Sequence, residues 1–235
     1  AGAACEFAAP LNRHDHIEPE RRHEVHISVV IATIGRAPVT RRTVKHLERQ
    51  TRLADRTLIV AVEPGDVAGV ESTVPAFEIA FAEKGLCKQR NHSLKVLGKT
   101  TDVIVYLDDD FVPCDDFLEN LEALFAADET LVGVTGHVIA DGVRGVGIGF
   151  DEALALTAAW RRETSGAQAK PRESLYGCNM AVRVSALDGL SFDERLPNYG
   201  WLEDVDLTYQ LGQRGKLIES PLVAGVHMGS KAARS

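Results

Sequence analysis

The chain has 235 residues, 45% of them hydrophobic and 26% charged, with a formal net charge of −8. That is enough apolar material for one large domain with its own core. The negative balance, without any basic block, argues against nucleic acid as the main partner.

No apolar run approaches the roughly 20 residues a membrane helix needs. No basic stretch followed by an apolar core marks a signal peptide. Cys5, Cys87, Cys114 and Cys178 are widely spread, with no CxxC pair. That spacing argues against a zinc knuckle or disulfide framework and for a reducing compartment. A cytoplasmic protein without a transmembrane span is expected, touching a membrane at most peripherally.

Residues 1–25 are polar, with Arg13, His14, His16, Arg21, Arg22 and His23. They predict a loosely attached arm whose histidines are solvated. Residues 26–34 (HISVVIATI) read as an apolar strand, followed by Gly35 and Arg36. A helix is expected from about Pro38 to Gln50, proline being favoured near a helix start, with Val39, Val44 and Leu47 facing inward. Residues 56–63 (RTLIVAVE) are a second strand, stopped by Pro64 and Gly65. Two apolar strands joined through a helix predict a parallel βαβ unit. Residues 75–81 predict a shorter strand. Residues 84–97 predict a loop turning into a helix that carries Lys84, Lys88, Arg90 and Lys95.

Residues 103–107 (VIVYL) predict a buried strand that runs into Asp108, Asp109 and Asp110. Three adjacent carboxylates repel one another unless a cation or hydrogen-bond donors intervene. Mg²⁺ or Mn²⁺ suits such a cluster, because it takes oxygen ligands and shares them with substrate phosphates. The alternative is a solvated acidic turn that opens the next helix, where aspartates also help. Either fits this stretch taken alone. Residues 114–127 then predict an amphipathic helix, with Phe117, Leu118, Leu121, Leu124 and Phe125 on one face. Residues 131–139 predict another strand. The alternation, with strands apolar on both faces, predicts a doubly wound α/β layer. Such sheets bind ligands beyond the carboxyl ends of their strands, and Thr33, Glu63 and Asp108 all fall there.

After residue 140 the pattern changes. Residues 141–149 are glycine-rich, 152–163 predict a helix in which Trp160 packs the lobe, and 164–173 are polar and expected to be mobile. Residues 175–184 (LYGCNMAVRV) predict a strand with Gly177 at a tight approach. A helical turn at 185–189 and a loop at 192–200 lead to Trp201, which either stacks on an acceptor or packs in the core. A helix is expected over 205–214, stopped by Gly215. Two short strands follow, 216–219 and 222–226, and then His227. This half is expected to be an α+β lobe of the same domain.

In order and spacing these segments resemble the family 2 glycosyltransferases of the GT-A fold, from about residue 26 to residue 227. Residues 28–33 with Arg36 resemble the family's opening strand and nucleotide loop, and Glu63 its acidic residue against the base or ribose. Residues 84–91 resemble its segment over the nucleotide. Tyr106 to Asp110 with Pro113 resemble its DxD motif. Gly177 to Ala181 with Arg183 resemble its acceptor-side strand, and Glu203 to Leu207 with Gly215 its ED motif and helix.

The resemblance implies a Rossmann-like, mostly parallel twisted sheet within one domain over 26–235. Residues 26–140 would be the nucleotide-sugar and metal half, and 141–235 the acceptor and catalytic-base half. It implies transfer, with inversion, of a sugar from a nucleotide-sugar, a UDP-sugar foremost. The acceptor would be a hydroxyl on a polysaccharide, a lipid-linked glycan or a small molecule. It places Thr33, Arg36, Glu63, Lys88 and Arg90 against the donor together with Asp108 and Asp109. It gives Asp110, Asp108 and His227 to a divalent metal (Mn²⁺ or Mg²⁺), Asp204 to the general base, and Glu203 to orienting the acceptor. His227 is otherwise a satisfied histidine at a strand end. Asp206 is the competing base, but positions two apart do not share a helix face.

Two rival readings differ in what they require. A sugar-phosphate nucleotidyltransferase opens with a glycine-rich basic loop, whereas Thr33-Ile34-Gly35-Arg36 has one glycine. A non-catalytic nucleotide-sugar-binding or scaffold protein would not need the complete acidic set.

Overall fold

The computed structural model describes residues 25–160, 168–196 and 202–230. The polar arm, apart from its last residue, lies outside them, as do Trp201 and residues 231–235. The first half follows the expected alternation: β1 (Ile27–Ala32), α1 (Ala37–Leu47), β2 (Arg56–Ala61), β3 (Phe77–Phe81), α2 (Leu86–Leu97) and β4 (Val103–Asp108). Helix α1 starts with Pro38 in its first turn and stops short of Gln50. The Gln50 side chain is used elsewhere: its Nε2 donates to Cys114 O at 2.8 Å, and its Oε1 accepts from Leu118 N at 3.0 Å.

The structure departs from expectation just after the aspartates. Residues Phe111–Pro113 form a strand, β5, and the next helix, α3 (Phe117–Ala127), starts only at Phe117. Strand β5 pairs antiparallel with β9 (Lys216–His227), Phe111 opposite His227. Asp108 therefore ends β4, Asp109 and Asp110 form the turn into β5, and the reading that made them a helix-opening turn is overturned.

The second half contains β6 (Leu131–Asp141), α4 (Phe150–Trp160), β7 (Lys170–Pro171), β8 (Asn179–Arg183) and α5 (Glu203–Gly212). Where two short strands were expected, β9 is a single strand. Pro221 is accommodated by an irregularity, since Gly136 pairs with Ser220 but His137 with Ala224; a residue without an N–H is tolerated at such a bulge. Strand β8 starts four residues late because residues 175–177 give their amides to side chains. Leu175 N donates to Thr208 Oγ1, Tyr176 N to Thr135 Oγ1 and Gly177 N to Asp204 Oδ2. Part of the segment expected to be mobile, Lys170–Pro171, is paired to β9.

The strands form one sheet in the order β3-β2-β1-β4-β8-β6-β9-β5, with β7 also on β9. Strands β1 to β4 are mutually parallel. Strand β8 is antiparallel to both β4 and β6, so β6 and its parallel neighbour β9 run with β4. The sheet thus crosses from the first half of the chain into the second without a break. Alternate residues of each strand feed opposite faces. Val29, Ile31, Val105 and Leu107 pack with Val44 and Leu47 of α1 and Phe117 and Leu121 of α3. Val30, Ile104, Tyr106 and Met180 pack with Leu97 of α2 and Leu207 and Leu211 of α5. Burying side chains of this size stabilises by roughly 1.5–3 kcal/mol each. This double-sided core fixes the sheet edge where β1, β2 and β4 end.

Candidate active site

Each of the three aspartates has a different environment. Asp109 turns toward α1: its Oδ2 accepts from Thr33 Oγ1 at 2.7 Å, and its Oδ1 lies 2.8 Å from Arg36 Nη1. Burial pushes the Asp109 carboxyl up to about 7, with Arg36 opposing. Asp110 turns toward the end of β9. Its Oδ2 accepts from Arg36 Nη2 at 2.6 Å and from Ser230 N at 2.7 Å. Burial would raise the Asp110 carboxyl as well, but the neighbouring His227 and Arg36 pull it well below the usual range. Asp108 is the most open of the three, with its side chain 34% exposed.

His227 closes the group. Its Nε2 lies 3.4 Å from Asp110 Oδ1 and 3.5 Å from Asp108 Oδ2, and its Nδ1 lies 3.2 Å from Asp141 Oδ1. Burial lowers the imidazole's proton affinity, but the surrounding carboxylates raise it overall. Among the described residues, Asp110 Oδ1 and both ring nitrogens of His227 are buried without a hydrogen bond. Buried polar atoms are normally satisfied. Orphans on a carboxylate and an imidazole that face each other are what a cation would satisfy. One ligand atom each from Asp108, Asp110 and His227 lies within 4.8 Å of the others. That donor set, with two carboxylates and one imidazole, fits a divalent cation such as Mn²⁺ or Mg²⁺.

The strand end bearing His227 is held by close backbone packing. Met228 N donates to Asp110 O and Gly142 N to His227 O. Gly229 has φ +62, and a Cβ there would lie 2.2 Å from Gly142 C, so glycine is required.

The second carboxylate group lies across the β4–β8 edge. Arg90 is buried, 2% exposed. Its Nη1 donates to Glu203 Oε1 at 2.8 Å and its Nη2 to Gly177 O at 2.8 Å, with Asp108 Oδ1 at 3.5 Å. Burial pushes Glu203 up to about 7, Arg90 opposing and Asp204 adding to the rise. Asp204, at the start of α5, accepts from Gly177 N at 2.7 Å and from Val205 N at 2.8 Å. A Cβ on Gly177 would lie 2.9 Å from Asp204 Oδ2, which accounts for the glycine. Asp206 points elsewhere, near Gln210, into a cleft of about 480 Å³ that it shares with Asn91, Glu194 and Arg195.

The remaining predicted residues are dispersed. Glu63 is exposed and caps the short 3₁₀ turn Pro64–Val67. Lys88 pairs with Glu83 at 2.5 Å. Arg36 joins Asp109 and Asp110, and Trp160 stacks on His137 with centroids 4.6 Å apart. Four organising residues were missed. Asp66 accepts from Gly35 N, Val62 N and Glu63 N, tying the loop after β1 to the end of β2. Glu63-Pro64-Gly65-Asp66 carries a capping-box spacing that could have revealed it. Gln89 donates to Thr33 O and Val60 O. Asp141 and Ser230 reach the aspartates only through tertiary contacts, and no local pattern marks them.

No curated protein matches this chain in sequence. Among solved structures, the Pyrobaculum calidifontis mannosyltransferase PcManGT, in complex with GDP-Man and Mn²⁺, superposes with a TM-score of 0.64 at 18% identity, over 90% of this chain and 59% of that one. S. aureus TarS 1–349 gives 0.62 at 14% identity, over 83% and 58%. GalNAc-T7 with UDP, GalNAc and Mn²⁺ gives 0.64 at 18%, over 87% and 44%. The chain thus spans less than two thirds of each of these proteins, and at such identities the likeness shows the fold. The family model for glycosyl transferase family 2 matches residues 28–190, more than half of the chain. With this match over the sheet that carries the aspartates, the chain belongs to glycosyl transferase family 2.

Proposed function

We propose that this domain transfers a sugar, with inversion, from a nucleoside-diphosphate sugar to a hydroxyl acceptor. The observation that carries the reading is the orphaned pair Asp110 Oδ1 and His227 Nε2, beside Asp108, at the carboxyl edge of the sheet. A divalent cation held by Asp108, Asp110 and His227 would neutralise charge on the departing diphosphate. Arg36 and Ser230 N hold the other oxygen of Asp110, which leaves Oδ1 directed at His227. Thr33 and Asp109 shape the donor floor, with Glu63 at its exposed margin.

Asp204 is the general base in this reading. Two backbone amides, Gly177 N and Val205 N, hold its carboxylate at the start of α5. Its remaining lone pairs can take the acceptor hydroxyl's proton as the bond to the sugar forms. Glu203 acts through Arg90, which ties it to Gly177 and Asp108 and so sets the spacing between the two carboxylate groups. In this reading residues 26–140 form the donor half and 141–235 the acceptor half, except that His227 and Ser230 reach across to the donor-side aspartates. Manganese and a UDP-sugar are the favoured cation and donor, with a polysaccharide, lipid-linked or small-molecule glycan as acceptor. The free, buried thiols of Cys87 and Cys178 support a cytoplasmic setting, with peripheral membrane contact compatible. Among the described residues no helix is long and apolar enough to cross a membrane.

Incubating the protein with a panel of nucleoside-diphosphate sugars and Mn²⁺ tests this reading. Hydrolysis or transfer is expected that stops on chelation with EDTA and in Asp110→Asn. Donor binding with no turnover across a broad acceptor panel would replace the enzyme with a binding protein.

A further inference from the structure

The cation site as proposed uses one nitrogen of His227. The other nitrogen has its own surroundings, built from residues outside the aspartate motif. Asp141 is the last residue of β6 and stands directly opposite His227 in the β6–β9 pairing. Its Oδ1 lies 3.2 Å from His227 Nδ1. The Asp141 carboxylate is fixed from two other directions: Oδ1 accepts from Val143 N at 2.9 Å, and Oδ2 accepts from Tyr176 OH at 2.9 Å. The Tyr176 ring also stands edge-on to the His227 ring, with centroids 6.1 Å apart and planes at 82°. The imidazole is thus flanked by a ring that limits its rotation and a carboxylate whose own position is pinned.

An imidazole beside a fixed carboxylate at one nitrogen keeps its proton there and presents a lone pair at the other. Carboxylates flank both nitrogens, Asp141 at Nδ1 and Asp108 and Asp110 at Nε2, so a cation between Nε2 and the aspartates would leave the ring proton on Nδ1, toward Asp141. We propose that Asp141 and Tyr176 are positioning residues for His227, fixing the Nδ1–H tautomer and the ring plane so that Nε2 is offered to a divalent cation. This rests on the cation reading given above. It adds that the donor side of the site depends on two residues from β6 and the loop before β8.

The test is a mutant cycle read as the affinity of the metal-free protein for Mn²⁺ alone, followed by electron paramagnetic resonance. Asp141→Asn keeps the side chain's size and is expected to weaken Mn²⁺ binding about 10- to 100-fold, the range for outer partners of metal ligands. Tyr176→Phe is expected to weaken it less, with the thermal midpoint of the metal-free protein unchanged. In a His227→Ala background, Asp141→Asn should have no further effect, because its route to the cation is gone. An equal loss in that background would show that Asp141 acts on the cation directly and would overturn the proposal, as would unaltered affinity in Asp141→Asn. If Asp141→Asn does not fold, Tyr176→Phe carries the same cycle with the same readings. Full Mn²⁺ affinity in His227→Ala itself overturns the cation reading and this inference together, and that pattern is distinct from the other two.

Discussion

Replacing Asp204 by Asn is expected to lower kcat by about 100- to 10,000-fold, the usual contribution of a positioned general base, while leaving affinity for a nucleoside diphosphate essentially unchanged. The amide has the same shape and its one oxygen can keep the bond from Gly177 N, while Val205 N, now bonded to the other carboxylate oxygen, lies at the exposed helix start where water can replace it, so α5 should start where it does now. What it cannot do is take a proton from an acceptor hydroxyl. Donor affinity is spared because the proposed cation ligands reach Asp204 only through Arg90 and Gly177. Asp206→Asn is the matched control and is expected to turn over near the wild-type rate, since Asp206 faces the cleft with Arg195 and Gln210. The assay is steady-state kinetics on both variants with titrated donor. Near-normal turnover in Asp204→Asn, with loss in Asp206→Asn, would exchange their roles.

The second large effect is on stability. Arg90→Met is expected to destabilise the fold by about 3–5 kcal/mol, the cost of stripping one partner from a buried ion pair. Arg90 is fully enclosed and Glu203 only 7% exposed, so water cannot readily replace the guanidinium. Methionine retains much of the apolar stem but leaves Glu203 Oε1 and Gly177 O without their donor.

The loss should depend on pH. Glu203 has its folded proton affinity raised by burial, with Arg90 opposing that rise. A carboxyl raised above its unfolded value contributes fully when protonated, at low pH, and loses that contribution as pH rises through the folded value. Removing Arg90 raises it further, so the deficit should be greatest above pH 7 and smaller near pH 5. Denaturant unfolding at the two pH values measures this; a deficit independent of pH would mean Glu203 is not the group left uncompensated.

Much of the donor edge was legible because its signals are local. Apolar runs ending in Thr33, Glu63 and Asp108 place the ends of β1, β2 and β4 together by topology alone. The roles inside the edge were less legible. Arg36 and Arg90 read as basic residues for a nucleotide, yet each guanidinium is committed to carboxylates of the same chain. Only the tertiary structure, which brings residues 36 and 110 or 90 and 203 together, shows that commitment. The short strand after Asp110 was hidden for the same reason: Phe111–Pro113 is extended because β9, over a hundred residues later, pairs with it. Asp141 has no motif around it, and its place depends on the register of β6 against β9.

The proposed transfer requires a cation held where Asp108, Asp110 and His227 converge. Crystals grown with Mn²⁺ and UDP, measured at the manganese absorption edge, address this directly. The expected result is a single anomalous peak within ligand distance, about 2.0–2.3 Å, of Asp110 Oδ1 and His227 Nε2, adjoining the diphosphate. A diphosphate bound at this edge with no manganese between these residues would contradict it.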